Sequence, residues 1–391
     1  MSISLHNLDP EELGNRLRLA RDTSNLTQGL AAERVEMSRT TLVAIEQGKR
    51  SVKDAELLAL TDLYGITMNE LLRKEAVHVD LLPRFRKLSS QGGNGLGDAI
   101  ELLNDFVTAE VELESVVGIE RPRRLPTERP LRPGDVKRQA ETDALDLRHK
   151  MGLGEGPIRN LFSLLSFDLG IRVYAHALEA KVSGLFAYDD AVGACILINS
   201  RHRYERQVLT ACHELGHVVG TRHRPDVFHE GHVHNSREER YANAFASAFL
   251  LPAYSVTQML KETQAGSRQL TRRHVIVMSH HFGVSREAFV RRLEELHLVQ
   301  NGTWDWFVRN GGITDEQVNQ VFGDSPANDR LASHSPMPTS IRLETLAAQA
   351  LGRGLLSEGQ VAELLKIDRF KARQLREEGE DGQNDAITLS L

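Results

Sequence analysis

Four prolines between residues 120 and 134 decide how this chain can be divided. The segment reads ERPRRLPTERPLRPG and contains Pro122, Pro126, Pro130 and Pro133. Each proline lacks a backbone N–H and biases the residue before it away from helical geometry, so regular helix is excluded here. The segment therefore predicts a semi-rigid linker between a helical N-terminal part and a larger second part.

The composition sets limits on the kind of protein. A chain of 391 residues is too long for one ordinary domain and has room for two or three. The net charge is −6, so DNA binding would have to come from a local basic patch. Cys195 and Cys212 are the only cysteines, which does not indicate a disulfide framework. The N-terminal residues lack a signal peptide and no apolar run is long enough to span a membrane, which predicts a cytoplasmic protein without a membrane partner.

Patterning along the chain predicts a mostly α-helical multidomain protein. Apolar residues at helical spacing predict an all-α first domain and a connecting helix at 98–117. Three β-type runs, at 170–178, 183–190 and 193–200, predict a small sheet inside an α+β domain. The predicted regions are a first domain at 8–75, a connecting helix and linker at 76–134, the α+β domain at 135–300 and a helical C-terminal region at 301–391.

A helix near residues 204–220 contains the sequence HELGH. His213 and His217 are four residues apart, so both imidazoles project from one helix face and can bind one cation. Glu214 lies beside the first histidine, where the H-E-x-x-H pattern predicts a general base. Two surface histidines on an ordinary helix would give the same spacing.

The segment SREERYANAFASAFLLP at 236–252 predicts a second helix that supplies the third ligand. Glu239 is the expected ligand, and Glu238 is a rival one position away. Asn243 is well placed to hydrogen-bond to a metal ligand and so orient it. Ser236 and Glu239 also have the spacing of a capping box, which would give Glu239 a structural role only.

These motifs resemble the ImmA/IrrE family of metallopeptidases. The resemblance covers about residues 145–300 and rests on INSxxxxxRQxLTxxHELGH, on ExxANxFAxxxLLP and on FGVSREAFVRRLEELHLV at 282–299. It implies a zincin-like fold with His213, His217 and Glu239 as ligands of Zn²⁺ (Mn²⁺ also fits) and Glu214 as general base. It further implies cleavage of a transcriptional repressor in a stress-response or mobile-element circuit. Cys212 departs from the alanine usual before the first histidine; a packed thiol is expected, and a redox-sensitive neighbour of the metal is the alternative.

The hairpin predicted around 183–200 could hold a protein substrate in extended form along a free strand edge. The loop after the predicted helix at 204–220 contains a cluster of histidines. We expect this to be an ordinary polar loop; an accessory metal site or a lid is the alternative. Its members are His223, His229, His232 and His234.

Residues 13–72 resemble the Cro/repressor-like (XRE) helix-turn-helix family. Ser38 is expected to cap a recognition helix at 39–46, whose buried side is Leu42 and Ile45. Glu36 departs from the glycine usual in the turn, so it either adopts a left-handed backbone or shifts the turn. The expected DNA-binding residues are Gln28, Ser38, Arg39, Thr40, Thr41, Lys49 and Arg50. A helical protein-interaction module without DNA affinity is the alternative for this domain.

The C-terminal residues 355–378 predict two short helices around a turn at Lys366–Asp368. We expect a packing or protein-contact role, with a second helix-turn-helix as the alternative. For the whole chain the sequence favours a DNA-binding metalloendopeptidase; the alternative is an XRE-type regulator, antitoxin- or prophage-related, that uses the peptidase fold as sensor or scaffold. A homodimer is compatible with either.

Overall fold

The computed structural model describes residues 10–24, 26–65, 81, 94–122, 124–224, 226–229, 236–264, 269–323 and 340–384. Contacts divide the chain into two compact units, Met1–Ala76 and Val77–Leu391. None of the helices in the described ranges has the length and apolar character needed to cross a bilayer. The predicted boundaries at 134 and 300, both inside the second unit, stay predictions.

The first unit is all-helical. Its helices are α1 (Pro10–Thr23), α2 (Gln28–Arg34), α3 (Arg39–Glu46) and α4 (Asp54–Tyr64). Leu17, Leu42 and Leu60, each with no exposed surface, lie at the centre of its core. One apolar stripe per helix thus meets a common centre, as the spacing predicts.

The second unit combines helices with one small sheet. Its elements are α5 (Asn94–Val117), α6 (Val136–Lys150), α7 (Leu161–Ser163) with a following π-helical turn (Leu164–Asp168), β1 (Arg172–His176), β2 (Val182–Asp189), β3 (Gly193–Asn199), α8 (Tyr204–Gly220), β4 (Asp226–His229), α9 (Arg237–Leu250), α10 (Ala253–Gln264), α11 (Arg272–Phe282), α12 (Arg286–Glu295), α13 (Thr303–Arg309), α14 (Asp315–Phe322), α15 (Ile341–Gly352), α16 (Glu358–Leu365) and α17 (Arg369–Asn384). The expected fold class, mostly helical with a small sheet in an α+β domain, is confirmed.

The sheet has the strand order β1-β3-β2-β4. β1 runs parallel to β3, whereas β2 is antiparallel to both β3 and β4. Both strands of the β2–β3 hairpin therefore lie inside the sheet of the described residues. The prediction that the hairpin at 183–200 offers a free edge is wrong, because β4 pairs with β2 along Val182–Phe186.

Each face of the sheet is covered by its own helical layer. Phe186, Ile196 and Ile198 pack into a core with α6, α8 and α9. Leu185 and Leu197, on the opposite face, pack with α5 and with helices α15–α17. Alternation along the strands thus places α8 on one side of the sheet and the C-terminal helices on the other.

The described residues of the proline-rich segment contain no helix, as predicted, but they pack against the rest of the second unit. Leu125 and Leu131 contact the α8 core, and the Arg129 amide donates to the carbonyl of Val219 at 2.7 Å. The Arg129 guanidinium also binds Asp143 at 2.8 Å. The spacing of the prolines excludes a helix, but it does not reveal which surface the segment packs against. The sequence therefore predicted a semi-rigid linker and did not predict these contacts with the second unit.

Candidate metal centre

Helix α8 is held in place at its start by two buried polar side chains. The Asn199 amide donates to the carbonyl of Val182 at 2.8 Å and accepts from the Leu178 amide at 3.2 Å, which closes the turns between the strands. Gln207 donates to the carbonyl of His202 at 2.7 Å. The INS and RQ parts of the sequence motif therefore serve structure, fixing where α8 begins relative to β3.

The two histidines of α8 face each other at ligand distance. Their Nε2 atoms are 3.2 Å apart, and both side chains are almost fully buried. His213 Nδ1 lies 3.0 Å from Oδ1 of Asn243, an acceptor, which favours the tautomer with the proton on Nδ1 and a lone pair on Nε2. His217 Nδ1 lies 2.8 Å from the Thr221 hydroxyl. Asn243 was expected from the sequence; Thr221 was not, although it stands four residues after His217.

Glu239 completes a triangle with these two nitrogens. Its carboxylate oxygens lie 3.5 Å from Nε2 of His213 and 3.4 Å from Nε2 of His217. Ligands bound tetrahedrally at zinc distances of about 2.0–2.1 Å are separated by about 3.3–3.4 Å. Two imidazoles and one carboxylate at this spacing fit a single divalent cation with a fourth position left over.

The structural role of Glu239 and the rival carboxylate of Glu238 fit this geometry less well. Ser236 does cap α9, accepting from the Glu239 amide at 3.1 Å, but the Glu239 carboxylate turns toward the histidines. Glu238, the rival ligand, instead forms an ion pair with Arg224.

A second carboxylate belongs to the same cluster. Ligand atoms of His213, Glu214 and His217 all lie within 4.8 Å of one another, and Glu214 has no exposed surface. Proximity alone would let Glu214 act as a ligand. The tetrahedral spacing at Glu239 is the closer match, because its carboxylate reaches both Nε2 atoms at nearly equal distances.

Two glycines, which have no side chain, let α8 approach both the sheet and α9. A Cβ at Gly184 would lie 2.6 Å from Thr210 Cγ2 and 3.1 Å from Glu214 Oε1. A Cβ at Gly216 would lie 2.9 Å from the Cα of Ala242. Both positions are too crowded for a Cβ, so these glycines are needed to bring the glutamates to the histidines.

Two side chains near the centre have packing roles. Cys212 is fully buried, and burial raises the pKa of its thiol, which fits the expected packed residue. The Tyr241 hydroxyl donates to Asp143 at 2.9 Å under α6. Desolvation raises the pKa of Tyr241, and that hydrogen bond directs its hydroxyl to the α6 side of α9.

An open cavity of about 520 Å³ lies at the C-terminal end of α8, where Gly220 and Thr221 line it. Thr221, which binds His217, forms part of its wall, together with His223 and the proline-rich residues 130–133. Of the predicted histidine cluster, His223 is exposed, while His232, His234 and the side chain of His229 lie outside the described residues.

The first unit shows the predicted helix-turn-helix geometry. Thr27 and Ser38 cap α2 and α3, accepting from the amides of Leu30 and Thr41. Glu36 in the turn has φ 54°, which confirms a left-handed backbone at the position where glycine is usual. Leu42 and Ile45 are buried, as predicted.

Some of the predicted DNA-contacting side chains are accessible, and others already bind a neighbouring side chain of the same domain. Arg39, Thr40 and Lys49 are exposed around a depression of about 380 Å³, and Thr41 is half-buried. Gln28 donates to Glu46 at 2.8 Å, and Arg50 binds Glu56 through both terminal nitrogens at 3.1 and 2.9 Å. Gln28 and Arg50 would have to exchange these partners to bind phosphate.

Comparison with known families agrees with this architecture. Residues 168–294 match the family model Peptidase_M78, described as IrrE N-terminal-like domain, and residues 12–73 match HTH_31, a helix-turn-helix domain. The chain thus carries a helix-turn-helix domain followed by an IrrE-like domain, which confirms the resemblance seen in the sequence. This combination suggests a DNA-binding regulator or a peptidase.

Similarity to solved structures is weak. PlcR from Bacillus thuringiensis, in complex with the peptide PapR7 and DNA, aligns over 96% of this chain and 95% of that chain, with 12% identity and a TM-score of 0.18. ComR from Streptococcus suis aligns over 96% of both chains, with 11% identity and a TM-score of 0.16. Scores this low do not establish a common fold. No curated protein matches the chain in sequence.

Proposed function

We propose that this protein is a DNA-binding, zinc-dependent endopeptidase that cleaves a transcriptional repressor or another regulator protein. The observation that carries the proposal is the spacing of 3.2–3.5 Å among two Nε2 atoms and the Glu239 carboxylate. Ligands from two separate helices meet there, and the IrrE-like domain match supports the same reading. Manganese is the alternative metal, because nitrogen and oxygen ligands suit both ions.

The residues divide into binding and proton-transfer roles. His213, His217 and Glu239 would hold the cation, which supplies Lewis-acid chemistry by polarising a peptide carbonyl and acidifying water. Glu214 is buried beside the histidines, so its carboxylate is in position to accept a proton from the attacking water and deliver it to the leaving amine. Asn243 and Thr221 keep both imidazoles turned toward the centre.

The helix-turn-helix domain supports a regulatory setting. The outer side of α3 presents Arg39 and Thr40, where base edges lie in this docking mode. A peptidase attached to such a domain would act on regulators bound at or near DNA. We infer a role in a cytoplasmic stress-response or mobile-element circuit.

The first experiment separates metal binding from catalysis. The full chain is purified with metal, its metal content is measured, and it is incubated with a peptide library whose new termini are identified by mass spectrometry. We expect one zinc per chain, loss of cleavage in Glu214→Gln with metal retained, and loss of both in Glu239→Ala. Glu238→Gln is the matched control and should behave as wild type. Full cleavage by Glu214→Gln would refute the peptidase assignment.

A second candidate function is a regulator with little turnover. The observation in its favour is burial: His213, Glu214 and His217 expose 2% of their surface or less, so a substrate has little access to them in this conformation. If this reading is right, Glu214→Gln leaves regulation of the target promoter intact in cells. Promoter activity measured with wild type, Glu214→Gln and an Arg39→Ala variant distinguishes the two functions.

A further inference from the structure

Two helices near the C-terminal end of the described residues, α16 and α17, are joined by a short turn. Ser357 caps α16, a left-handed turn at Lys366 ends it, and Asp368 caps the start of α17 by accepting from the Lys371 amide at 2.8 Å. We call this unit, Ser357–Arg376, the C-terminal segment.

Its backbone matches the N-terminal motif position by position, with a constant offset of 330 residues. Lys366 has φ 54°, the value found at Glu36. The amide of Ile367 donates to the carbonyl of Ala362 at 3.0 Å, as Met37 does to Ala32 at 2.9 Å. The caps correspond too: Asp368 stands where Ser38 does. The turn, the helix-ending hydrogen bonds and the caps of both helices therefore coincide at this single offset.

Burial follows the same correspondence. Ala372 and Leu375 are buried at the positions equivalent to Leu42 and Ile45. These residues and the inner side of α16 pack with α5 and the back of the sheet. The C-terminal segment therefore uses its inner face for packing, which leaves the other face of α17 outward.

The outward face of α17 is basic and carries an exposed aromatic ring. Arg369, Lys371, Arg373 and Arg376 are the charged residues between positions 369 and 376, and no acidic residue interrupts them. Phe370 is 71% exposed at the position equivalent to Thr40. In the N-terminal motif the same stretch, 39–46, has one cation and one acid.

Not all of these cations are equally available. Arg376 binds Glu358 at 2.7 Å, and Arg373 approaches the same carboxylate at 3.7 Å. Arg369 and Lys371 have no ion-pair partner among the residues that the structure describes. They flank Phe370 at the start of α17, the part of a recognition helix that enters the major groove.

We propose that the C-terminal segment is a second DNA-binding site, which places the start of α17 in the major groove of duplex DNA. Arginine pairs with guanine edges and phenylalanine contacts the thymine methyl group, so Arg369 and Phe370 supply base contacts. Lys371 supplies a phosphate contact. Duplex DNA fits this surface better than a protein partner does, because the backbone repeats a motif whose second helix fits that groove.

The test uses the full chain with its N-terminal motif disabled by Arg39→Glu and Lys49→Glu. Binding to a short random-sequence duplex is measured by fluorescence anisotropy over a range of salt concentrations. Adding Arg369→Glu and Lys371→Glu should weaken binding about tenfold or more and reduce the salt slope by about 0.9 for each phosphate that the variant no longer neutralises. The matched control adds Lys150→Glu and Lys261→Glu, two exposed helical lysines with the same change in charge.

Several results would overturn the proposal. One is an N-terminally disabled chain that does not bind the duplex at all; another is an equal weakening in the control. A third is an equal weakening of binding to polyglutamate, which would show general attraction of anions or an acidic protein partner. Phe370→Ala tests the proposal with little risk of misfolding, because it alters no charge and no buried side chain. It should weaken duplex binding while the circular dichroism spectrum stays unchanged. Unaltered binding would count against insertion of Phe370 into the groove.

Discussion

Gly216 is the residue through which α8 and α9 come close enough to bring Glu239 to the two histidines. The space for its missing Cβ is filled by the backbone of Ala242 on α9. Glu239 lies one helical turn before Ala242 on the same helix, so the distance between α8 and α9 directly sets the distance from its carboxylate to the histidines.

We predict that Gly216→Ala weakens metal binding, although alanine has a higher helix propensity than glycine. The added methyl group must push α9 away by several tenths of an ångström, and overpacking of this kind destabilises by about 1–3 kcal/mol. Metal affinity and thermal stability should both fall. Gly97→Ala, at a helical glycine with nothing within 4 Å of the added Cβ, is the control and should be neutral or stabilising.

Replacing Glu36 with glycine is expected to raise the stability of the first unit. At φ 54° an L-residue in the turn costs about 1–2 kcal/mol, and glycine avoids that cost. We expect Glu36→Gly to stabilise the first unit by up to about 1 kcal/mol in urea unfolding of the full chain, whereas Glu36→Ala, which keeps a Cβ, should give no such gain. Equal stability of the two variants would show that the side chain, not the backbone, matters there.

At this scale the sequence was informative wherever a residue type has a specific chemical role. His213 and His217 share one face of α8 and Ser38 caps α3, as their spacing predicted. Glu239 and Asn243 lie beside these histidines, and the metal-binding role of Glu239 stays a proposal. Gly184 was not foreseen, because nothing in a single sequence reveals which side chain will pass over a glycine. The occupied state of Arg50 was also missed, since its partner Glu56 is determined by how α4 follows α3.

Among the elements, α5, β1 and α15 are joined by a buried charged cluster. Glu110 and Glu114 of α5 bind Arg172 of β1, with distances of 3.2 and 2.8 Å. Arg121 pairs with both glutamates, and Arg342 of α15 lies 3.3 Å from Glu114. Removing one partner from such a cluster leaves the others buried without compensation, which typically costs about 3–5 kcal/mol.

The cluster predicts a specific dependence of stability on pH. Burial raises the pKa of Glu114, but Arg172 and Arg121 outweigh burial and hold that pKa below its usual value. A carboxyl with a lowered folded-state pKa stabilises the fold above its unfolded pKa of about 4.3, and this contribution is lost as pH falls through the folded pKa. Glu114→Gln should therefore be destabilised at neutral pH, with a gap to wild type that narrows below about pH 4 in urea unfolding. A gap that does not change with pH would contradict the prediction.

The larger elements were predicted well, and the short ones poorly. β1 and β3 fall inside their predicted runs, and β2 begins one residue before its run, because apolar residues alternate or cluster there. β4 was missed, since four residues carry too little pattern to identify a strand. That omission also produced the error about the hairpin edge, because an edge depends on which strand pairs next and not on the strand itself.

At the level of the whole molecule, we predict that the second unit cannot do without its C-terminal helices. Leu185 and Leu197 on the back of the sheet have no exposed surface because α5 and α15–α17 cover them. A chain ending at residue 339 would leave part of that face open to water and should aggregate or bind a hydrophobic dye. Truncation after residue 384 is the control and should leave solubility unchanged. A soluble, metal-binding chain ending at 339 would contradict the prediction.

The cover on the back of the sheet joins parts of the chain that are far apart in sequence. Arg342 reaches Glu114 across 228 residues, and Arg353 donates to the carbonyl of Val117 across 236. During synthesis the strands and the HELGH helix therefore leave the ribosome well before the helices that will shield them. Contacts this distant slow folding and prolong the exposure of apolar strands. A cell making this protein is thus expected to need chaperone assistance until translation has passed α17.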